Sequence, residues 1–302
     1  MRLLQDIGEF GLIKRIAEGE KISDKEVVVG IGDDTAVLKY KKNLYLLLTT
    51  DILIEDVHFD KKAAPFQIGY KALAVNISDI AAMGGIPKYV LVSLGLKKNT
   101  SLKFVDELYQ GIRSLAKKFK VKIVGGDTVA SSKIVISVAL TGEVEKKYLT
   151  LRKGAKIGDK IYVTGRLGGS ISGKHLSFIP RLKEARYLVE NLHPTSMIDI
   201  SDGLLSDLRR ICEASGLGAK ICQEKIPLSK EATSSENALT GGEDFELLFT
   251  LCHHPPHLGR RDRVGEIPIT QIGEITKKKG IILLDGKGKK VLLKKTGFDH
   301  FK

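Results

Sequence analysis

The chain has 302 residues, of which 42% are hydrophobic and 28% are charged, as in an ordinary folded globular protein. This composition excludes disorder as the main state, and no apolar run approaches the roughly 18–20 residues that a membrane-spanning helix needs. Charge appears as early as Arg2 and Asp6, too soon for a secretory signal. We therefore expect a cytoplasmic protein that makes no contact with a membrane.

The formal net charge is +13, and most of the basic surplus is lysine in short, scattered groups. Proteins that bind nucleic acids usually combine arginine with aromatic residues, whereas this chain has no tryptophan. We therefore expect a solvated lysine-rich surface and no nucleic-acid partner. The positive charge still favours anionic ligands. Three cysteines without a C-x-x-C spacing argue against a disulfide framework or a zinc ribbon.

Short apolar runs alternate with segments of helical periodicity, which predicts a mixed α and β protein. The runs are rich in Val, Ile, Leu, Tyr and Phe, the residues that favour strands. In chain order, strands are predicted at residues 44–48, 89–95, 122–124, 134–141, 160–164 and 245–251.

Two long helices are well marked. The first is predicted over residues 66–83, because Pro65 suits a helix start and Gly84-Gly85 suits a stop. The second is predicted over residues 102–119, where apolar side chains recur at helical spacing and define a buried face. The members of that face are Leu102, Val105, Leu108, Ile112, Leu115 and Phe119.

A third helix is predicted to start near Gly203 and to end at Gly216. Between the second and third helices, residues 145–159 are charged and contain glycine, as an exposed connection does. The sequence therefore predicts two domains, residues 1–147 and residues 148–302.

Acidic residues recur beside glycine, serine or threonine in six places. They are Asp33 and Asp34, Asp51, Asp79, Asp127, Asp199 with Asp202, and Glu243 with Asp244. One such cluster is ordinarily a turn, because Asp and Gly both favour turns. Six clusters, several of them beside predicted strands, favour a shared ligand site.

Convergence of these acids would be repulsive without a counter-charge. Hard divalent cations with oxygen ligands supply it, and Mg²⁺ bridged by phosphates fits best. Asn76 and Asp79 lie three residues apart on an apolar helix, so they share a face that needs a polar partner. Mg²⁺, glycine N–H groups and a basic surround are the parts of a phosphoryl-transfer site.

Two other glycine motifs are poor matches to nucleotide-binding loops. Residues 168–174 read G-x-x-x-x-G-K, but His175 follows where a P-loop has Ser or Thr. Residues 30–35 resemble the start of a dinucleotide fingerprint, but the third glycine is absent and two acids stand in the motif. Glycine-rich turns are the better interpretation of both segments.

The order of the acidic motifs resembles that of a known family. The motifs are G-I-G-D-D at 30–34, T-T-D at 49–51, V-H-F at 57–59, the helix motif at 69–85, V-G-G-D-T at 124–128, I-D-I-S-D-G-L at 198–204, G-G-E-D-F-E-L at 241–247 and G-F-D-H-F at 297–301. Together they resemble thiamine-monophosphate kinase, a family within the ATP enzymes that are similar to aminoimidazole-ribonucleotide synthetase. The match covers nearly the whole chain, and the helix motif and the closing motif are specific to the kinase.

The resemblance implies a fold and a reaction. The N-terminal half would be an α/β domain whose sheet pairs with that of a second copy, forming a barrel across a homodimer. The C-terminal half would be an α+β domain that closes over the site. ATP would transfer its γ-phosphoryl group to the phosphate of thiamine monophosphate. The attacking oxygen already carries negative charge, so no catalytic base is implied; positioning and several Mg²⁺ ions would supply the catalysis.

The resemblance also assigns roles to individual residues. The implied Mg²⁺ ligands are Asp34, Thr49, Thr50, Asp51, Asp79, Asp127, Asp199 and Asp202. The implied ATP contacts are Tyr109, Gly126, Asp127, Arg152 and Ser201. The implied thiamine monophosphate contacts are His58, Glu243 and Phe298. A guanidinium suits phosphate oxygens, and an aromatic face and a carboxylate both suit a cationic thiazolium ring.

Other interpretations of three residues stay open. Tyr109 could belong to the core, Phe298 could be a packing residue, and the choice of Asp34 over Asp33 depends on the resemblance alone. The sequence also departs from the family pattern. Asp56 stands where glycine is usual, Phe298 stands where Trp or Tyr is commoner, and the segment 173–197 is short.

Two other functions are consistent with the sequence. One is an ATP-dependent synthetase of the same superfamily that acts on another small molecule, for which the closing motif at 297–301 is the discriminating feature. The other is a basic RNA-binding protein, whose salt-sensitive affinity would survive substitution of the acidic residues.

Overall fold

Two mixed β-sheets, one from each half of the chain, form the framework of the protein. The structure is a computed structural model that describes residues 3–20, 24–252, 262–264, 267–292 and 301. The first half contains α1 Leu4–Gly19, β1 Val27–Val29, β2 Ala36–Lys41, β3 Leu44–Ile54, α2 Pro65–Ala82, β4 Ile86–Leu96, α3 Leu102–Phe119, β5 Lys122–Ala130 and β6 Val135–Glu145. In the described part, no helix is both long and apolar enough to cross a membrane.

The second half is built from shorter elements. They are β7 Lys160–Thr164, α4 Leu182–Tyr187, β8 Ser196–Asp199, α5 Leu204–Ser215, β9 Gly218–Cys222, α6 Ser235–Thr240, β10 Leu247–Leu251, β11 Asp262–Val264, β12 Ile267–Thr276, β13 Gly280–Leu284 and β14 Lys290–Val291. Several of these strands mix charged and apolar residues, so their sequences lack the apolar runs that made other strands recognisable.

The first sheet has the strand order β1-β2-β3-β6-β4-β5, and only the β4–β5 pair is parallel. The second sheet has the order β14-β13-β9-β12-β7-β10-β8, with β11 paired to β12. In the second sheet the β9–β13 pair is parallel. Local antiparallel pairs such as β2–β3 account for part of each sheet, and long connections bring the other strands together.

Helix α2 lies between the two sheets and is buried along most of its length. It packs on β3 and β6 of the first sheet and on β8 and α4 of the second half. Its small residues Ala72, Ala74, Ala81 and Ala82 are all buried, which allows neighbouring elements to approach closely. The position of α2 therefore fixes the two halves relative to each other at the end of β8.

Helices α2 and α3 touch through two glycines. A Cβ atom on Gly69 would overlap the carbonyl oxygen of Leu108, and a Cβ on Gly111 would overlap that of Phe66. The backbones are therefore in direct contact at both positions. This close approach explains why glycine interrupts two otherwise good helices.

Most of the predicted elements are present, with three corrections. Strands β3 and β5 continue beyond their predicted ends, so Asp51 and Asp127 lie within strands and not in loops after them. Leu102 was predicted to be buried, but it begins α3 and is 83% exposed. Strand β10 begins at Leu247 and not at Phe245, whose φ of 49° interrupts an extended conformation.

The contact between α2 and α3 yields a stability prediction. Changing Gly111 to Ala should lower the free energy of unfolding by about 3 kcal/mol, because the added methyl group must push two packed helices apart. The matched control is Gly19→Ala, since no atom from elsewhere in the described part of the chain lies within 4 Å of a Cβ at Gly19. That change should leave stability the same or raise it by up to about 1 kcal/mol. Urea denaturation of both variants measures the difference, and equal midpoints would contradict the close contact.

Candidate active site

A cleft of about 1790 Å³ lies beside α2, between the two halves of the chain. Residues of β3, α2 and the end of β8 line it, together with the turn before β2 and one side of α1. This volume is ample for a nucleotide together with a second small molecule. Most of the predicted site residues that the structure describes border this cleft.

Three aspartates converge in the cleft from distant parts of the sequence. Asp34 comes from the turn before β2, Asp79 from the fourth turn of α2, and Asp199 from the last position of β8. One carboxylate oxygen from each lies within 4.8 Å of the others. The convergence that the sequence could only suggest is therefore present for these three residues.

Each of the three carboxylates also has a hydrogen-bond donor from a neighbouring element. Thr49 Oγ1 donates to Asp79 Oδ2 at 2.5 Å, and Ser78 Oγ donates to Asp199 Oδ2 at 2.6 Å. Arg152 Nη2 donates to Asp34 Oδ1 at 2.6 Å. These donors fix the orientation of the carboxylates, so that their other oxygens can face a common point.

Burial and mutual repulsion raise the pKa values of the acids. Burial is the main cause of the rise of the Asp199 pKa to about 7, and the Asp34 charge adds to it. Burial likewise raises the pKa of Asp51 to about 6, with further contributions from Asp34 and Asp202. The pKa of Asp79 is raised well above its ordinary value by burial and then by the charge of Asp51. The cluster thus favours either protons or a cation.

The donor set fits a hard divalent cation. No donor among the described residues reaches the buried Oδ2 atoms of Asp34 and Asp51, which leaves two carboxylate oxygens in need of a partner. Carboxylate and hydroxyl oxygens without sulfur or imidazole are the ligands that Mg²⁺ prefers. Asp34, Asp51, Asp79 and Asp199, with Thr49, could therefore hold magnesium.

Asp33 and Asp34 are adjacent but occupy different environments. The carboxylate of Asp33 accepts the backbone N–H groups of Asp34 at 3.0 Å and Arg152 at 3.1 Å. Burial and the neighbouring Asp34 charge raise the Asp33 pKa to about 7. Only Asp34 contributes to the three-aspartate cluster. Geometry thus distinguishes two residues that the sequence could not.

Thr50 lies on the other face of β3 from Thr49 and Asp51, because successive strand residues alternate. Its side chain is exposed at the border of the cleft, away from the aspartate cluster. The structure therefore separates the two neighbouring threonines that the resemblance groups together.

A second charged group borders the cleft at the start of α5. The carboxylate of Asp202 pairs with Arg210, whose Nη1 lies 3.7 Å from Asp207 Oδ1. The backbone N–H of Asp202 donates to Asp207 Oδ2 at 3.1 Å. The Arg210 guanidinium also lies 4.5 Å from the centre of the Phe10 ring on α1. Asp207 and Arg210 were not predicted, although an acid on an apolar helix face with an arginine three residues later is a recognisable pattern.

At the other end of the cleft, a buried lysine joins two of the residues implied to contact the substrate. Lys71 Nζ donates to Glu243 Oε1 and Oε2 at 2.6 and 2.7 Å, and to the backbone oxygen of His58 at 2.8 Å. His58 Nδ1 accepts the N–H of Ile54 at 3.0 Å. Sequence reasoning missed Lys71, and a lysine within an apolar helix run was the available signal.

Three predicted residues do not border the cleft in a single chain. Tyr109 is half-buried on α3 beside Arg113, at 5.3 Å from ring centre to guanidinium carbon. Gly126 and Asp127 lie on the exposed edge strand β5. Ser201 does line the cleft. Phe298, the third implied substrate contact, lies outside the described residues.

The two glycine motifs form turns. Residues 170–172 and 174–176 are short 3₁₀ helices, and no long helix follows as a P-loop requires. Lys174 Nζ lies 3.2 Å from Glu246 Oε1, a carboxylate that Arg181 also binds through two nitrogens at 2.6 Å. Arg181, which lies within the short segment 173–197, therefore balances the charge of a buried glutamate. Asp56 has a φ of 65°, which explains why glycine is the usual residue there.

Comparison with known proteins gives the family. Residues 32–144 match the domain family "AIR synthase related protein, N-terminal domain", and residues 156–286 match the corresponding C-terminal domain family. Thiamine-monophosphate kinase of Bacillus subtilis (strain 168) is 38% identical over 97% of this chain and 99% of its own. The chain belongs to the thiamine-monophosphate kinase family. The same-named protein of Aquifex aeolicus (strain VF5) is 37% identical over 99% of both chains.

Solved structures of this family have the same fold. The structure described as "AaThiL complexed with AMPPCP and TMP" matches with a TM-score of 0.81 and 35% identity over 99% of both chains. A hydrogenase maturation protein HypE in complex with ATP matches with a TM-score of 0.68 at 18% identity, a likeness that shows the fold alone. The resemblance found in the sequence is confirmed, together with the two-domain fold of the family.

The raised pKa values predict how stability depends on pH in this kinase-family chain. The folded-state pKa values of Asp33, Asp51 and Asp199, at about 7, 6 and 7, exceed their ordinary value of 3.8. Their protonation therefore stabilises the fold below about pH 4, and this contribution is lost as pH rises through 6 to 7. The melting temperature of metal-free protein should fall by several degrees between pH 5 and pH 8.

Magnesium should reverse most of that fall at pH 8 and have less effect at pH 5, because protons then occupy the cluster. Asp199→Asn is the control variant, since it removes one of the buried charges. The variant should show a flatter pH profile and a smaller gain from magnesium. Calorimetric melting measures both, and a wild-type profile that rises towards pH 8 without metal would contradict the repulsion.

Proposed function

We propose that this chain transfers the γ-phosphoryl group of ATP to the phosphate of thiamine monophosphate, giving thiamine diphosphate and ADP. The observation that carries the proposal is the convergence of Asp34, Asp79 and Asp199 within 4.8 Å in a cleft of this size. Full-length relatives at 37–38% identity are thiamine-monophosphate kinases. The matching structure described with AMPPCP and TMP supports ATP and thiamine monophosphate as the two substrates.

The chain's own residues suit such a transfer. The attacking phosphate oxygen already carries negative charge, so the site needs no general base, and positioning matters most. Magnesium held by Asp34, Asp51, Asp79 and Asp199 would neutralise charge on the transferring group. Arg152 is half-buried beside Asp34, where its guanidinium could move to phosphate oxygens without leaving the cleft. Asp202 and Ser201, at the start of α5, border the same end.

The two halves would have separate tasks. We assign ATP and magnesium binding and dimer formation to residues 1–147, and closure over the site to residues 148–302. The second half would also supply one magnesium ligand, because Ser78 Oγ of α2 donates a hydrogen bond to Asp199 Oδ2 of β8 where the halves meet. A cytoplasmic location remains a prediction from the sequence.

The outer face of the first sheet supports a homodimer. Ile52, Leu91 and Val129 are exposed on it, and the described structure places no helix over β5 beyond Gly125. An apolar sheet face with an uncovered edge strand is unusual in a monomer. Pairing with the same face of a second copy would bury these side chains and form the expected barrel.

The register of the first sheet explains why Asp127 would act across that interface. Asp127 pairs with Ser93, Ser93 with Ser137, and Ser137 with Ile52. Three strand spacings separate Asp127 from Ile52, roughly 14 Å, so its carboxylate is too far to join Asp51 in the same chain. Registered partners share a face, which for Ile52 is the outer one. We therefore propose that Asp127, with Gly126 beside it, serves the cleft of the other subunit.

Substitution of a cluster residue tests the reaction. Asp51→Asn should lower kcat for thiamine diphosphate formation by about 100-fold or more, because a buried ligand of the charge-neutralising group is lost. The matched control is Asp106→Asn on the exposed face of α3, which should retain full activity. Chromatography of products made from ATP, Mg²⁺ and thiamine monophosphate measures the rate. Wild-type protein that hydrolyses ATP only with a different acceptor would favour the synthetase alternative.

Complementation tests the dimer and the position of Asp127 together. Asp51→Asn and Asp127→Asn should each be inactive, yet co-expressed chains should recover about one quarter of wild-type activity. Half of the dimers are then mixed, and each mixed dimer has one intact site. Sedimentation checks that the wild type has twice the mass of one chain. Dimers that show no recovery would place both aspartates in the same subunit's site.

A further inference from the structure

Lys71 is a fully buried cation at the substrate end of the cleft. Its side chain is 0% exposed, and its ammonium group has three hydrogen bonds at 2.6–2.8 Å, to both oxygens of Glu243 and to the backbone of His58. An ammonium group has three N–H donors, so this number of acceptors satisfies it. A buried lysine whose three N–H donors all have acceptors is a structural component of the site.

Glu243 is held rigidly by this contact. Its backbone has a φ of 63°, and its N–H donates to the oxygen of Ser201 at 2.7 Å. Its side chain is 26% exposed and borders the cleft next to His58 and Phe245. The carboxylate therefore faces the cleft, but both of its oxygens already accept bonds from one ammonium.

The charge of Glu243 is consequently balanced before any ligand enters. Among the residues that the structure describes, the other charged side chains near this end of the cleft are Asp56, Asp60 and Lys62, all of them exposed to solvent. Asp56 Oδ2 lies 3.6 Å from Lys133 Nζ. Water and salt screen such exposed charges, so none of these three side chains attracts a cationic ligand as strongly as an unpaired Glu243 carboxylate would.

We propose that Lys71 is a specificity-determining residue: by neutralising Glu243, it makes the site select thiamine monophosphate by shape and hydrogen bonding and not by attraction to the thiazolium charge. The inference rests on the proposed function, since it concerns how the same cleft selects its acceptor. It differs from the simpler expectation that Glu243 attracts the cationic ring. The ligand class it predicts includes uncharged ring isosteres of the substrate.

A ligand pair tests this in the wild-type protein. The probes are thiamine monophosphate and its analogue in which an uncharged thiophene ring replaces the thiazolium ring. Calorimetric dissociation constants are measured at pH 8 with Mg²⁺ and a non-hydrolysable ATP analogue. A bare carboxylate about 4 Å from the cation would favour it at least about fivefold even at the dielectric constant of water. We expect a preference below fivefold, and a larger preference for the cation would overturn the proposal.

Two variants give a readout that a purely structural role for Lys71 would not change. Lys71→Met leaves Glu243 unbalanced, so preference for the cationic ligand should rise about tenfold or more. The double variant Lys71→Met with Glu243→Gln has no charge at either position, and its preference should return to the wild-type value. Equal weakening of both ligands in Lys71→Met would overturn the proposal. If Lys71→Met does not fold, the ratio of the two dissociation constants in the wild type and in the double variant tests the proposal instead.

Failure of the proposed function has a different outcome. Wild-type protein that binds neither ligand and forms no thiamine diphosphate would refute the kinase reaction, and the inference with it. Normal turnover combined with a strong preference for the cation would refute only the role of Lys71. The two results are distinguishable in the same set of measurements.

Discussion

Repulsion between buried carboxylates is the constraint on which this structure depends. Asp34, Asp79 and Asp199 bring three carboxylate oxygens within 4.8 Å of one another. The site is largely shielded from solvent, so the repulsion between like charges is much stronger there than in water. Hydrogen bonds from Thr49 and Ser78 and the ion pair from Arg152 lower this cost without removing it. Packing elsewhere in the protein must offset the repulsion that remains. Protons or cations bound by the carboxylates also lower it, as the raised pKa values indicate.

Much of that packing is supplied by α2. The helix is covered by the first sheet on one side and by α4 and β8 on the other, and glycine contacts bring α3 against its backbone. Lys71 and Asp79 lie eight residues apart on it, about 12 Å along the helix axis. One rigid element thus sets the distance between the two ends of the cleft. A shift of α2 would misplace the acceptor and the metal ligands together.

The sequence predicted local features well, because local physics determines them. Pro65 and the Gly84-Gly85 pair are enough to define α2, and strand-forming residues define β6 and β7. The end of β3 was misjudged because Thr49, Thr50 and Asp51 look like a loop in isolation, whereas pairing with β6 keeps them extended. The prediction for Leu102 was wrong because the apolar periodicity of α3 includes its first residue, whereas no neighbouring element in the described structure covers that end of the helix.

Features of the site that depend on long-range contacts were beyond sequence reasoning without the family resemblance. Nothing near Asp34 in the sequence indicates that Arg152 will bind it, or that Asp33 will instead accept backbone N–H groups. Lys71 was missed for the same reason, since its partner Glu243 is 172 residues away. The resemblance named Glu243 as a contact but could not show that its charge is already balanced.

The cleft therefore treats charge in opposite ways at its two ends. At the end that holds Asp34, Asp79 and Asp199, acids are left short of counter-charge, and in the proposed reaction the balance would come from ions that arrive and depart with the nucleotide. At the acceptor end, the balancing cation is a covalent part of α2 and cannot leave. A removable counter-charge suits phosphate groups, whose charge changes during phosphoryl transfer, because the bound cations can leave when that charge leaves. A permanent one suits a ring whose charge does not change, because any net attraction there would hold substrate and product equally and add nothing to turnover.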